Sequence, residues 1–204
     1  MNYIKEYYDW IQNNPNKVCQ KIKKIYKKLV EDIKTPKKVS ITNKESGELE
    51  VHTYVFDEEK GSRPIDFIEK YCRHSKGKWA GKPVRLELFE KACIQAAYGF
   101  VDKDTRLRKY KKVGYFVGRK NGKSLIGSGI GNYMLTKDGE GGAEVYSLAT
   151  KKDQAKIVWE EAKKMIKKSP ALRQRCKCRV TGIFYDKTDS VFKALASDSN
   201  SLDG

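Results

Sequence analysis

The stretch that decides the fold is YFVGRKNGKSLIGSGIGNYML, Tyr115–Leu135. Its first residues end an apolar run that predicts a buried strand over Lys111–Val117, and its later residues predict a helix over Lys123–Thr136. A glycine-rich loop, Gly118–Gly122, joins the two. The order of strand, loop and helix is the context of a phosphate-binding loop, G-x-x-x-x-G-K-[ST], in which backbone N–H groups and a helix N-terminus face the anion.

One position departs from that standard pattern. Val117 stands where the first glycine is expected, so the tight turn has to be made differently, and Gly118 is the expected substitute. Two interpretations stay open on these residues alone. The loop is either a nucleotide site with altered chemistry, or a glycine turn between strand and helix that carries surface lysines.

Under the nucleotide interpretation, each polar residue of the loop has a use. Gly122 lets the backbone approach a phosphate, and Lys123 can reach the β and γ oxygens. The Ser124 hydroxyl is the expected magnesium ligand, and the planar Arg119 side chain can bind phosphate through two donors. Beyond the loop, the alternate glycines 127, 129 and 131 cost helix stability, and we expect them to permit close helix–sheet packing.

Working outward from this stretch, apolar periodicity predicts strands that alternate with helices. That order is typical of an α/β fold with a mainly parallel sheet flanked by helices. An N-terminal helical extension is expected over the first 35 residues, up to Pro36. Further helices are expected from Pro64, from Leu86 and over Asp153–Lys168, the last with Thr150 as its N-cap. The remaining predicted strands are 50–56, 143–149, 175–180, 182–185 and 191–196.

The chain has 204 residues, and its 43 Lys and Arg against 26 Asp and Glu give a net charge of +17. That excess favours a polyanionic partner, and nucleic acid is the commonest one. Five cysteines indicate reduced thiols, and Cys176 and Cys178 lack the spacing and the further ligands of a zinc site. Without a signal peptide or an apolar run of membrane-spanning length, the expected compartment is the cytoplasm.

Four stretches together resemble the N-terminal ATPase region of phage terminase large subunits, the motors that package DNA into procapsids. They are Phe67–Asp102, Val117–Ser124, Glu144–Pro170 and Ala194–Gly204. The second has an arginine after its first glycine, as the family's variant phosphate loop does. The resemblance implies a P-loop NTPase fold, with an extension over residues 1–62 and the N-terminal part of the ATPase domain over residues 63–204.

The resemblance also implies ATP and Mg²⁺ as cofactors. Lys123 and Arg119 are then the expected catalytic residues, and Ser124 is the metal ligand. The other residues expected to shape the cofactor site are Gly118, Lys120, Asn121 and Gly122. Glu90, after Phe89, stands where the family often has a glutamine that contacts adenine, although a glutamate can accept from the adenine amino group but cannot also donate while ionised.

In the family, an apolar strand ending in Asp-Glu, the Walker B motif, and a nuclease domain would follow residue 204. We therefore expect an incomplete ATPase core that binds nucleotide weakly and hydrolyses little of it. None of the aspartates that could replace the missing pair is expected to end an apolar strand. These aspartates are Asp186, Asp189, Asp198 and Asp203.

The expected partners are double-stranded DNA, the terminase small subunit, the portal of the procapsid and, in a ring, further copies of the large subunit, with no membrane partner. A helicase-like P-loop ATPase is a second enzyme hypothesis. A third is a basic, non-enzymatic module that binds DNA or a protein partner through the lysines of the helix Cys19–Ile33. A solvated lysine face is the simpler interpretation of that helix.

Overall fold

The computed structural model describes residues 1–42 and 46–196. Within them the helices are α1 (Tyr3–Asn13), α2 (Gln20–Lys34), α3 (Glu58–Tyr71), α4 (Leu88–Gly99), α5 (Lys123–Thr136), α6 (Lys152–Lys168) and α7 (Pro170–Arg173). The strands are β1 (Lys37–Thr42), β2 (Leu49–Phe56), β3 (Phe100–Asp102), β4 (Glu144–Ala149), β5 (Lys177–Cys178), β6 (Ile183–Tyr185) and β7 (Ser190–Ala196). In the described part of the chain, no helix is both long and apolar enough to cross a membrane.

The chain forms two compact units that interleave along the sequence. The first comprises residues 1–66 and 86–114, and the second comprises residues 67–85 and 115–204. This structural division differs from a single cut after residue 62, and the predicted functional boundary stays a prediction. The candidate phosphate loop belongs to the second unit.

The first unit packs α1, α2 and α4 beside an antiparallel sheet of order β1–β2–β3. Its core forms because the apolar faces of the amphipathic helices α1 and α2 pack against each other, with α1 also against α4 and α2 against β2. Side chains buried in this core include Ile4, Ile11, Tyr26, Leu29, Ala92 and Phe100. The helical extension was predicted, but β1 was not, since all its side chains are exposed and show no apolar alternation.

The second unit is built on a four-stranded sheet of order β4–β7–β6–β5. The six-residue β4–β7 pairing is parallel, whereas β7–β6 and β6–β5 are antiparallel. The α/β class is confirmed, and the sheet of the described residues is mixed rather than mainly parallel. Hairpins join the last strands through short turns, which only antiparallel neighbours allow.

Helix α5 lies against α6 and the strands β4 and β7, and its glycines are where neighbours come closest. A Cβ added to Gly131 would lie 2.6 Å from a ring carbon of buried Phe192 on β7, and one on Gly129 would lie 3.0 Å from Ile68. The predicted close helix–sheet packing is therefore confirmed at Gly131. Gly127 instead faces Val158 of α6, with room for a methyl group at 3.5 Å.

Several predicted elements differ from the structure. Of the strand predicted over 175–180, only Lys177–Cys178 pairs, as β5, because Arg179 already belongs to the turn that leads to β6. Residues Lys111–Val117, predicted as a strand, pair with no strand in the described part of the chain. Their apolar side chains are not buried, and Phe116 is 96% exposed. Pro64 lies inside α3 rather than at its start. The helix begins earlier because the Asp57 carboxylate accepts the Lys60 N–H at 2.8 Å, which is an N-terminal cap that the sequence reading missed.

Candidate phosphate-binding site

The loop Gly118–Gly122 enters α5 through a left-handed turn. Gly122 is the N-cap of the helix with φ +68°, and Lys120 is also left-handed, with φ +66°. Gly118 is not, so the expectation that Gly118 makes the turn is wrong. A Cβ added to Gly118 would lie 3.3 Å from the side-chain nitrogen of the exposed Asn121, its one neighbour within 4 Å among the described residues.

Three polar side chains lie between Gly118 and Gly122. Arg119, Lys120 and Asn121 are exposed, and the Asn121 amide donates to the Arg119 carbonyl at 3.2 Å. The Lys123 ammonium bends back over the loop and donates to the Val117 carbonyl at 2.9 Å. The cation thus sits at the mouth of the loop, beside the N-terminus of α5, where an anion would be stabilised by the helix dipole.

The start of α5 is fixed to α6 from within. Ser128, which is fully buried, has its hydroxyl 2.6 Å from the Ser124 carbonyl oxygen and 2.7 Å from the Val158 carbonyl oxygen of α6. One turn later, the Asn132 amide donates to the Ala162 carbonyl at 3.2 Å. These contacts hold the first turn of α5, with Lys123 and Ser124 on it, at a set distance from α6.

The loop opens on a cleft of about 620 Å³ within the second unit. Its walls are the loop with the first turn of α5, one face of α6, and the segment His74–Lys76 that follows α3. This volume is that of a small-molecule site. A cleft of this size beside a helix N-terminus with Lys123 and Ser124 fits a nucleotide with its metal ion.

The third wall is tied to α6 by one hydrogen bond. The Ser75 hydroxyl donates to the Glu161 carboxylate at 2.6 Å. Within the segment after α3, His74 N–H donates to the Lys82 carbonyl at 3.0 Å, and Gly81 N–H donates to the His74 carbonyl at 2.9 Å. These two backbone bonds shape residues 74–82 into a closed loop, so His74–Lys76 is a defined wall.

The α6 wall was missed by the sequence reading, which considered only the buried stripe of that helix. The lining side chains recur at the same helical spacing on the opposite face: Asp153, Lys156, Ile157, Glu160, Glu161 and Lys164. That spacing was the signal that could have found them. The predicted N-cap Thr150 is also displaced, since the N-cap of α6 is Lys151.

Glu90 belongs to the first unit and has a structural task there. It is buried at the start of α4, and its carboxylate accepts the Glu87 N–H at 2.9 Å in a capping box. Burial raises the pKa of Glu90 above its usual range, an effect opposed by that backbone bond. Its adenine role stays a prediction.

The four aspartates considered as replacements for the Asp-Glu pair do not contribute to the cleft within the described residues. Contrary to expectation, Asp186 directly follows an apolar strand, β6, but it forms an ion pair with Lys177. Neither Asp186 nor Asp189 lines the cleft. Asp198 and Asp203 lie outside the described residues, as does most of the stretch Ala194–Gly204. The acidic side chains in the cleft walls are those of α6.

Comparisons with known proteins agree with this architecture. Residues 88–204 match the family model of the terminase large subunit, ATPase domain. The large terminase subunit of Enterobacteria phage HK97 is 32% identical over 117 residues, which is 56% of this chain and 22% of that relative. The crystal structure of the HK97 bacteriophage large terminase matches with a TM-score of 0.59 and 27% identity, over 71% of this chain and 29% of that one.

The matched part thus spans less than a third of either HK97 sequence. The family match, in contrast, covers more than half of this chain and includes the whole loop Gly118–Gly122 with α5, α6 and their sheet. Sequence and fold agree on the same assignment: the chain belongs to the family of terminase large subunit ATPase domains.

Proposed function

We propose that this chain is the nucleotide-binding part of a DNA-packaging motor and that it binds Mg-ATP in the cleft at Gly118–Ser124. The observation that carries the proposal is the start of α5. There Lys123 and Ser124 follow a left-handed glycine and face a cleft of about 620 Å³, in a chain that belongs to the terminase family. ATP supplies the phosphoryl group for hydrolysis, and Mg²⁺ offsets the charge of its phosphates.

The chain's own residues would act by positioning and by charge. Backbone N–H groups at the start of α5 would bind phosphate oxygens, and Ser124 would hold the metal ion. Lys123 would exchange its bonds to the loop carbonyls of Val117 and Gly118 for charge-assisted bonds to phosphate. Arg119, exposed on the loop, would add a second cation where negative charge develops.

Nucleotide binding is tested with the whole chain and a fluorescent ATP analogue. Lys123→Ala should weaken binding at least tenfold, since a charged hydrogen bond contributes about 1.5–3 kcal/mol. Lys137→Ala, an exposed lysine just beyond the other end of α5, is the matched control and should leave affinity unchanged. Equal affinities for the parent and Lys123→Ala would contradict the proposed site.

The metal role of Ser124 has a separate readout. Ser124→Ala should remove most of the gain in affinity that Mg²⁺ gives to the parent chain, while binding without Mg²⁺ stays close to that of the parent. A full magnesium effect in the variant would assign the metal to other ligands.

Hydrolysis by this chain is proposed to be slow. The walls of the cleft include Asp153, Glu160 and Glu161, but these lie along α6 and none follows a buried strand as a water-orienting carboxylate would. Steady-state phosphate release measures this directly. Rapid turnover that Lys123→Ala abolishes would show that the chain already holds a complete catalytic set.

Double-stranded DNA, the small subunit, the portal and further copies of the large subunit are the partners proposed for the whole motor. The terminase match favours this assignment over a helicase-like ATPase. The non-enzymatic alternative retains one supporting observation, the net charge of +17. It predicts DNA binding without any nucleotide binding, so the ATP-analogue titration separates the two.

A further inference from the structure

One part of the second unit carries far more positive charge than the rest. Residues 162–185 contain eight Lys and Arg and no Asp or Glu. They supply nearly half of the net charge of +17 from about an eighth of the chain. The segment comprises the second half of α6, helix α7 and the β5–β6 hairpin.

Packing joins these elements into one surface. The Lys163 ammonium on α6 donates to the Arg179 carbonyl at 3.0 Å, which fixes the hairpin turn beside the helix. The turn is closed by a bond of 2.9 Å from Arg179 N–H to the Gly182 carbonyl, and Val180 at its tip is 91% exposed. These packed elements carry six exposed cations, here called the basic face: Lys164, Lys167, Lys168, Arg173, Arg175 and Arg179.

The charge of the basic face is not neutralised within the described residues. Lys177 of the same segment pairs with Asp186, but no side chain of the basic face has a carboxylate within ion-pair distance there. Lys164 and Lys168 are also like charges one turn apart, which destabilises a helix by a few tenths of a kcal/mol. The helix dipole accounts for Lys167 and Lys168 at the end of α6 but not for Arg175 and Arg179.

Exposed cations that have no carboxylate partner among the described residues can bind the phosphates of a polyanion. We propose that the basic face binds the phosphate backbone of double-stranded DNA without reading its sequence. The identity of the polyanion rests on the proposed packaging function. Lys164 also lines the nucleotide cleft, so α6 presents one end of the basic face to the cleft and the other to DNA.

The test compares two variants of the full chain that lose the same charge. One is Lys168→Gln with Arg175→Gln and Arg179→Gln on the basic face. The other is Lys21→Gln with Lys24→Gln and Lys28→Gln, three exposed lysines of α2. Duplex binding is measured by fluorescence anisotropy between 50 and 200 mM salt.

The basic-face variant should bind duplex at least tenfold more weakly than the parent at 50 mM salt. Its slope of log affinity against log salt should fall in magnitude by about 2–3, since each phosphate contact contributes about 0.9. The α2 variant should change affinity less than about threefold. Arg175→Lys with Arg179→Lys keeps the charge and should retain most of the binding.

Equal losses in the two Gln variants would overturn the proposal, because the effect would then follow total charge. Absence of duplex binding by the parent chain at 50 mM salt would overturn it as well. Binding of the fluorescent ATP analogue is measured on the same samples. The affinity for the ATP analogue should be unchanged in the basic-face variant. If the parent chain does not bind the analogue, that result contradicts the proposed nucleotide site and not the basic face.

Discussion

The two halves of the stretch Tyr115–Leu135 form opposite kinds of structure. The loop half, up to Gly122, is largely exposed, and Lys120 in it has a left-handed backbone conformation. The helix half, from Lys123, is one of the most tightly packed parts of the second unit, with Ser128, Gly129, Gly131 and Asn132 all buried. The loop and the first turn of α5, with Lys123 and Ser124, line the cleft, whereas α5 is mostly buried from Ile126 onward.

The contrast between the exposed loop and the packed helix shows that α5 fixes the geometry of the site. Few contacts in the loop itself fix its shape, and the Asn121–Arg119 bond spans only two residues. The set geometry comes from α5, which is fitted against β7 through Gly131 and bonded to α6 through Ser128. Changes in the buried part of α5, from Ile126 onward, should therefore cost stability, while changes at Lys123 and Ser124, which line the cleft, should alter binding.

The largest expected effect is steric. Gly131→Ala places a methyl group 2.6 Å from the Phe192 ring, and overpacking of this kind costs about 1–3 kcal/mol of unfolding free energy. Gly127→Ala is the matched control, since its nearest neighbour lies at 3.5 Å and alanine favours a helix. Urea denaturation measures both, and equal stabilities would disprove the close contact at Gly131.

The next effect concerns the link between α5 and α6. Ser128→Ala removes the hydroxyl that reaches two carbonyls in a buried site, and it should cost about 1–2 kcal/mol. Ser75→Ala, on the opposite wall of the cleft, removes one part-buried bond to Glu161 and should cost less. Thermal or urea unfolding of the two variants side by side tests that order.

A smaller effect of opposite sign is expected in the loop. Lys120→Gly should stabilise the chain by up to about 1 kcal/mol, because a left-handed backbone strains lysine but not glycine. Lys120→Ala keeps the strain and is the control. A destabilised Lys120→Gly variant would mean that the lysine side chain makes a contact worth more than the strain.

The smallest expected effect lies in the first unit and depends on pH. Burial raises the pKa of Glu90, so its ionised form destabilises the folded chain at neutral pH. Glu90→Gln should therefore raise stability at pH 7, and the gain should vanish as the pH falls below about 4, where the parent glutamate is protonated in both states. Glu59→Gln, at an exposed site, should show no such pH-dependent gain.

The sequence predicted the extent of α5, Lys123–Thr136, closely, because a helix-like apolar pattern follows the glycine loop and ends before the turn at residues 138–142. It failed at Lys111–Val117, where an apolar run looks buried, although burial depends on what covers the run and not on the run itself. It also could not assemble the cleft. His74 and Glu161 are far apart in the chain, and only the fold brings their segments to the same cleft.

Some residues of the candidate site could be predicted from the sequence, and others could not. Lys123 and Ser124 are recognisable because the chemistry of a phosphate loop requires them at adjacent positions. The turn residue was mistaken, because glycine is the usual left-handed residue and the sequence gives no sign that Lys120 shares that role with Gly122. The polar face of α6 was visible as a pattern, but a polar helix face is ordinarily a solvated one.

The Ser128 hydroxyl has a mechanical consequence. Because it lies within hydrogen-bond distance of the Ser124 carbonyl and of the Val158 carbonyl on α6, it joins the first turn of α5 to the middle of α6. The opposite wall of the cleft, His74–Lys76, is joined to α6 by the part-buried hydrogen bond from Ser75 to Glu161. Because Ser128 is fully buried, we expect a ligand that widens the cleft to break the Ser75–Glu161 bond before it separates α5 from α6. Opening of the cleft should therefore begin at Ser75.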